Sequence, residues 1–257
     1  ARFLWQCMKK YDMVLCSIDG GNLRNAIPRE ATAVIGVHQA AKEDVRADLN
    51  HYIPVIEDEL RGIEPSVKIT MESVDEPEFC IDHETAWNLV NALYAIPHGV
   101  IAMSRDIPGL VETSTNLASV KMKNENEIVV ATSQRSSVES EKYNIAHQIE
   151  SIFLLAKSKP THGDGYPGWK PNMHSKIMET AVAAYEELYK VTPAIKAIHA
   201  GLECGLFLQK YPHLDMISFG PTLQGVHSPD EKMHIPAVEK FWNHLVRILE
   251  KVAEEKK

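Results

Sequence analysis

The order helix, strand, strand occurs twice in the first half of the chain, about 80 residues apart, and it restricts the folds open to this sequence. Apolar spacing predicts the first round as helix 3–11, strands 12–18 and 29–37, helix 42–61 with Pro54 as a kink or break, and strand 66–74. It predicts the second round as helix 83–95, strand 99–103, a hairpin of strands 111–123 and 127–133, and helix 138–157. The pattern indicates an α/β fold with two related α+β units, each a sheet with helices on one face.

A ferredoxin-like unit needs a strand before its first helix. No strand pattern precedes the helix at 3–11, and the sequence has neither an initiator Met nor a helix cap at its first residue. We therefore expect the chain to be a fragment that is cut at its N-terminus.

The pattern changes near Thr161, where a glycine- and proline-rich stretch to Trp169 predicts a structured connector. Beyond it the spacing predicts helix 175–189, strand 194–199, helix 203–208, strand 215–219 and helix 236–254. Strands that alternate with helices indicate an α/β layer with parallel strands. Two strands make a thin sheet, so we expect them to be part of a larger one.

Composition excludes several classes of function. The 257 residues carry a net charge of -8, which disfavours a broad nucleic-acid surface. No apolar run approaches the roughly 20 residues that cross a bilayer. The four cysteines form no CxxC pair, so a disulfide scaffold is not expected and a reducing, cytoplasmic location fits best.

The loop after the last predicted strand has the densest set of candidate residues. Ligands of α/β sheets bind at the carboxyl ends of strands, so His227 is placed to act as a metal ligand or a general base, with Asp230 and Glu231 as local support. The alternative is a loop histidine without a role. His199 and Glu203 lie where the preceding strand passes into a helix, and a capping acid beside a buried histidine is the alternative there.

Two further candidates lie in the first half of the chain. Asn25 joins two strands and either hydrogen-bonds a ligand or holds the turn. Arg135 follows the strand predicted at 127–133, where its guanidinium either clamps a carboxylate or lies free on the surface. Together the spacings indicate a site for an anionic small molecule beside a metal, without defining a reaction.

Several long strings resemble the aminoacyl-histidine (Xaa-His) dipeptidases, which are carnosinase-like members of the co-catalytic zinc peptidase family that also includes aminoacylases and carboxypeptidases. The strings run over residues 20–30, 166–169, 199–207, 215–222 and 227–231, and the resemblance extends along essentially the whole chain. It implies a lid domain at 1–162, N-terminally truncated and built of two ferredoxin-like units, and the C-terminal segment of an α/β catalytic domain at 163–257.

The same resemblance implies the roles of individual residues. His227 matches a zinc ligand, Asn25 and Arg135 match lid residues that hold the substrate's carboxyl end and polarise the scissile carbonyl, and Gly201 and Glu203 match the border of the substrate pocket. Two zinc ions, a dipeptide substrate and a homodimer through the lid are the expected cofactors and partners.

The remaining zinc ligands and the general base of the family are absent from these residues, so no catalytic residue is assigned in this chain. Because one histidine cannot hold two zinc ions, we expect the chain alone to bind zinc weakly or not at all and to be inactive. Two alternatives remain open. One is a non-enzymatic binding or dimerisation module derived from the lid; the other is a small hydrolase that uses His199, Glu203, His227 and His234.

Overall fold

The computed structural model describes residues 1–124, 126–163, 165–169, 172, 174–196, 203–226 and 230–255. The helices are α1 (Arg2–Lys10), α2 (Lys42–Leu60), α3 (His83–Ala95), α4 (Glu139–Leu155), α5 (Lys176–Tyr189), α6 (Glu203–Lys210) and α7 (Ile235–Glu254). The strands are β1 (Val14–Gly20), β2 (Ala31–Gly36), β3 (Gly99–Met103), β4 (Val111–Asn124), β5 (Glu127–Ser136), β6 (Leu223–Gln224) and β7 (Lys232–Met233). Within these ranges no helix is both long enough and apolar enough to cross a membrane.

The chain divides into two compact units. Unit 1 comprises Ala1–Ala102, Ser114–Gln134 and Tyr143–Gly163, and unit 2 comprises Met103–Thr113, Arg135–Lys142 and Asp164–Lys257. The assignment of a lid to 1–162 and a catalytic segment to 163–257 stays a prediction.

The first five strands form one sheet in the order β2-β1-β4-β3, with β5 paired to β4. Strand β1 is antiparallel to β2, with Val14 opposite Gly36 and Gly20 opposite Ala31. It is also antiparallel to β4, through Gly20 opposite Val120. The α/β fold class is confirmed, but the two predicted units do not have separate sheets, because β4 joins the strands of both.

The core of unit 1 lies where α3 packs on the sheet. Leu15 of β1 and Val90 of α3 are fully buried in one apolar cluster, against which Leu4 and Trp5 of α1 pack. The apolar residues of α3 are spaced so that they lie on one face of the helix, and this face packs on the sheet. Asp82 begins this helix by accepting a hydrogen bond from the Thr85 backbone N–H at 3.0 Å.

Unit 2 contains the pairing of α5 with α7. Ala181 and Ala184 of α5 are buried against Ile248 of α7. Ser175 caps α5 by accepting from the Met178 backbone N–H at 3.1 Å, and a proline opens α7 in its first turn.

Two predicted strands, 66–74 and 215–219, are wrong, and a third, 194–199, is absent over the half of it that is described. Residues 66–74 form no strand, although Val67 and Ile69 are half-buried as their alternation predicts. Alternation identifies a face, but a strand also needs a neighbour to complete its hydrogen bonds. This segment is held instead by side chains, for example by the Arg46 guanidinium, which donates to Ser73 Oγ at 2.9 Å.

The strands predicted at 194–199 and 215–219 belong to the predicted parallel layer. Residues 194–196 and 215–219 are irregular, and 197–199 lie outside the described residues. Among the residues described in unit 2, β6 and β7 form a short antiparallel pair, and no parallel pair is found. Apolar composition alone does not fix a parallel strand, because such a strand depends on neighbours from distant sequence.

Candidate functional site

The loop between β1 and β2 carries Asn25 and is held by a residue of β4. The Asn116 side-chain amide donates to the carbonyl oxygens of Arg24 and Ala26, at 3.4 and 2.7 Å. These are the residues on either side of Asn25, whose own side chain is exposed. The geometry fixes the backbone of Asn25 and leaves its amide facing solvent.

The base of this loop approaches β4 closely at Gly21. Gly21 has a φ of 64°, and a Cβ atom at this position would lie 2.0 Å from the carbonyl oxygen of Ala118. Its N–H donates to the Glu30 carbonyl at 3.2 Å, which closes the loop. Only glycine satisfies both the positive φ and the close backbone contact.

Arg135 lies inside β5, one residue before its end, so the strand is longer than the predicted 127–133. The arginine is half-buried, whereas its neighbours Ser136 and Ser137 are buried. Ser136 Oγ lies 2.9 Å from Thr113 Oγ1 and accepts from the Val138 N–H at 3.0 Å. The strand end that carries Arg135 is therefore fixed by a buried polar cluster.

The connector at 165–169 packs on this strand end. A Cβ atom on Gly168 would lie 2.8 Å from the Ser136 carbonyl oxygen, and the Gly168 N–H donates to Glu139 Oε2 at 2.7 Å. The Lys142 ammonium donates to Glu139 Oε1 at 2.7 Å and to the Tyr166 carbonyl at 2.8 Å. The first turn of α4 thus clamps the connector on both sides of Pro167.

Helix α6 reaches the same connector. A Cβ atom on Gly205 would lie 2.7 Å from the Pro167 carbonyl oxygen. Glu203 is the first residue of α6, as predicted, although the placement of its side chain is outside what the structure describes. Within unit 2, the end of β5 with Arg135 and the start of α6 with Glu203 both contact the connector.

Asp215, which begins one of the recognisable strings, serves a helix rather than a strand. Its Oδ2 accepts from the Ile177 backbone N–H at 3.1 Å, at the start of α5. Partial desolvation opposes ionisation, but hydrogen bonds from the Ile177 backbone and the Ser175 hydroxyl outweigh it and lower the pKa of Asp215. The carboxylate is therefore ionised at neutral pH and binds the positive end of the helix dipole.

The predicted metal ligand and two of its neighbours in the prediction lie outside the part of the chain that the structure describes. His227, Gly201 and His199 lie outside the described residues, whereas Asp230 and Glu231 are described and exposed. Among the described residues no group of three or more His, Cys, Asp or Glu side chains is arranged to hold a metal ion. The described residues thus do not by themselves fit a zinc pair.

Sequence reasoning missed the residues that hold the candidate residues in each unit. In unit 1, Asn116 holds the Asn25 loop, and in unit 2, Glu139 and Lys142 hold the connector. The sequence did contain a signal for Asn116. Asparagine is depleted in strands, so an asparagine in the interior of the long strand β4 indicates a specific role. Glu139 and Lys142 form an ordinary helical i,i+3 pair, and nothing in their spacing distinguishes them from surface charges.

Residues 15–251 match the family model described as peptidase family M20/M25/M40. The chain belongs to this peptidase family. It is 37% identical over 251 residues to the cytosol non-specific dipeptidase of Escherichia coli (strain K12), covering 98% of this chain and 52% of that protein.

A solved structure agrees with this assignment. The aminoacylhistidine dipeptidase from Vibrio alginolyticus matches with a TM-score of 0.88 and 37% identity, over 97% of this chain and 51% of that one. The chain spans about half the length of the relatives it matches.

Proposed function

We propose that these residues supply the substrate-binding part of a zinc-dependent dipeptidase. The observation that carries the proposal is the loop of Asn25, whose backbone is fixed by Asn116 on both sides while its amide is left exposed. Because the backbone of Asn25 is held in this way, its amide projects from a fixed point of the chain, and a donor at a fixed position is what the stabilisation of a developing oxyanion requires. The two relatives described above are named as dipeptidases, which supports the same substrate class.

Arg135 is the proposed partner of the substrate's carboxylate. A guanidinium binds a carboxylate through two parallel hydrogen bonds, and its fork must be held in place to do so. The buried Thr113–Ser136 contact beside Arg135 supplies that rigidity. Gly201 and Glu203 are proposed to border the same pocket.

Zinc is the proposed cofactor, with His227 as the ligand from this chain. His227 would hold one ion of a zinc pair, and such a pair would lower the pKa of a bound water and supply a nucleophile for the peptide bond. Because one histidine cannot hold two zinc ions, we propose that the 257 residues alone hydrolyse no dipeptide. The location proposed is the cytosol, in agreement with the name of the Escherichia coli relative.

The test uses a polypeptide that carries these residues together with the segment supplying the other ligands. Arg135→Ala is expected to raise KM for dipeptides with zinc content unchanged, and His227→Ala to lower zinc content and activity together. Arg105→Ala, on an exposed arginine, is the matched control. Unchanged kinetics in Arg135→Ala would show that Arg135 does not bind the substrate's carboxylate. Unchanged metal stoichiometry in His227→Ala would show that His227 is not a zinc ligand.

A second candidate function is a dimerisation module. It is favoured by β3, at one end of the sheet path, where Val100 and Ile101 are 56% and 42% exposed. If this strand mediates a homodimer, Ile101→Lys converts the dimer to monomers in sedimentation, and Lys68→Glu, at an exposed position of unit 1, does not. A wild-type chain that sediments as a monomer at every concentration contradicts this second candidate.

A further inference from the structure

Two cysteines that the proposed function does not use have their sulfur atoms in contact. The Sγ atoms of Cys16 and Cys80 lie 2.6 Å apart, and both residues belong to unit 1. Cys16 is on β1 and only 2% exposed, whereas Cys80 is an exposed residue near the end of the long irregular segment 61–82 that joins α2 to α3. The pair therefore links the centre of the sheet to a segment outside it.

The contact is maintained by the residues that follow Cys80. The Ile81 N–H donates to the Leu15 carbonyl at 2.8 Å, which places Cys80 beside the residue after Leu15 on β1. The Ile81 side chain packs against the core cluster of the sheet, and Asp82 caps α3. The two sulfurs are thus held together by a backbone hydrogen bond, apolar packing and a helix cap, all of which are present while the thiols are free.

We propose that Cys16 and Cys80 form a reversible disulfide, a modification site whose oxidant is a low-molecular-weight disulfide. Cys80 reacts first, because it is the exposed partner. Its thiolate attacks one sulfur of the oxidant, the S–S bond of the oxidant breaks, and one small thiol leaves. The thiolate of Cys16 then attacks Cys80 Sγ and displaces the second small thiol.

The two steps together conserve atoms, electrons and protons. Two protein thiols are oxidised to one disulfide, the small disulfide is reduced to two thiols, and the two protons from the protein end on those thiols. Burial and the contact with Cys80 raise the pKa of the Cys16 thiol to about 12, so little Cys16 thiolate is present at neutral pH. The proximity of the two sulfurs offsets this, since the second step is intramolecular.

The disulfide changes the tethering of the segment 61–82. In the reduced chain the end of this segment is joined to β1 by the Ile81–Leu15 hydrogen bond. In the oxidised chain a covalent bond closes a loop from Cys16 to Cys80 and restricts the unfolded chain. Disulfides that form in a reducing compartment are usually transient and redox-sensing, which is the type of role we assign to this pair.

The test is carried out on the 257-residue chain with oxidised glutathione as the probe. Four thiols are expected in the reduced, denatured chain and two after oxidation, with all four restored by dithiothreitol. Tryptic mapping of the oxidised chain should recover peptide 11–24 cross-linked to peptide 69–105. The urea midpoint should rise on oxidation and return on reduction.

Cysteine variants distinguish the Cys16–Cys80 pair from the other two cysteines of the chain, Cys7 and Cys204. Cys80→Ser, at an exposed position, should lose no pair of thiols on oxidation and should form no cross-link. Cys7 lies in the separate cluster with Met13 and Val45, so Cys7→Ala should still lose two thiols on oxidation. Two outcomes overturn the proposal. One is that Cys80 is recovered only as a mixed disulfide with glutathione. The other is that Cys80→Ser loses two thiols on oxidation just as the wild type does.

Discussion

Asn116 and Ala26 are joined by a hydrogen bond of 2.7 Å, in which the side-chain amide on strand β4 donates to the carbonyl of a loop between two other strands. The same amide also reaches the Arg24 carbonyl, so one side chain holds the backbone on both sides of Asn25. The Asn116 carbonyl oxygen Oδ1 is buried and makes no hydrogen bond within the described residues. Asn116 therefore acts as a donor, and its position serves the loop rather than its own strand.

Replacing Asn116 with Asp keeps the shape of the side chain and removes the donor. Loss of a hydrogen bond that fixes a binding loop costs about 1–2 kcal/mol, which corresponds to a fall in kcat/KM of roughly tenfold. The fall is measured with dipeptides in the polypeptide that carries all the zinc ligands. Asn50→Asp, on an exposed position of α2, is the control. Equal kcat/KM in Asn116→Asp and the wild type contradicts the positioning role.

Gly168→Ala tests how the connector docks on β5. The added methyl group meets the Ser136 carbonyl at 2.8 Å, so either the connector or the strand end shifts. We expect a loss of about 1–3 kcal/mol in the free energy of unfolding, because overpacking against backbone is costly. Hydrogen exchange should rise in residues 136–142 as well. Gly163→Ala, where nothing lies within 4 Å, is the matched control, and an equal effect of both changes rules out the contact.

Gly21→Ala and Gly109→Ala separate backbone strain from close packing. Both glycines have positive φ, 64° and 80°, but a Cβ atom meets the Ala118 carbonyl at Gly21 and open space at Gly109. Gly109→Ala should cost about 1 kcal/mol for the left-handed conformation, and Gly21→Ala about 2–4 kcal/mol in total. Urea unfolding of both variants measures the difference. Similar costs in the two variants argue against a close contact at Gly21.

Glu187 makes the pairing of α5 with α7 dependent on pH. Hydrogen bonds from Lys251 and Arg247 lower the pKa of its carboxyl to about 2. Because the pKa is depressed in the folded chain, the stabilisation is complete above the unfolded value of about 4.3 and is lost as the pH falls towards 2.

Glu187→Gln should therefore be less stable than the wild type at pH 7, with a difference that shrinks between about pH 4.5 and 2. Urea midpoints across this range measure it. Glu239→Gln, at an exposed glutamate of α7, serves as the control. A constant difference at every pH shows that the charge of Glu187 is not involved.

Local patterns predict the helices well and the candidate site in part. The helix 83–95 and the strand 99–103 have the predicted bounds because their apolar spacing, caps and turns are local. The strands at 66–74 and 215–219 are wrong because pairing depends on partners that spacing does not reveal. Asn25 and Arg135 were identifiable by resemblance, whereas Asn116 and the Glu139–Lys142 clamp depend on contacts across distant sequence.

The shared strand β4 also determines the order in which unit 1 can be assembled during synthesis. Gly20 pairs with Val120, about 100 residues later, so the β1–β2 hairpin leaves the ribosome long before its neighbour is made. Until β4 has been made, the edge of β1 that faces away from β2 has no strand to pair with. Completion of this sheet therefore waits for a late part of the chain, which makes the arrival of β4 the step that closes unit 1.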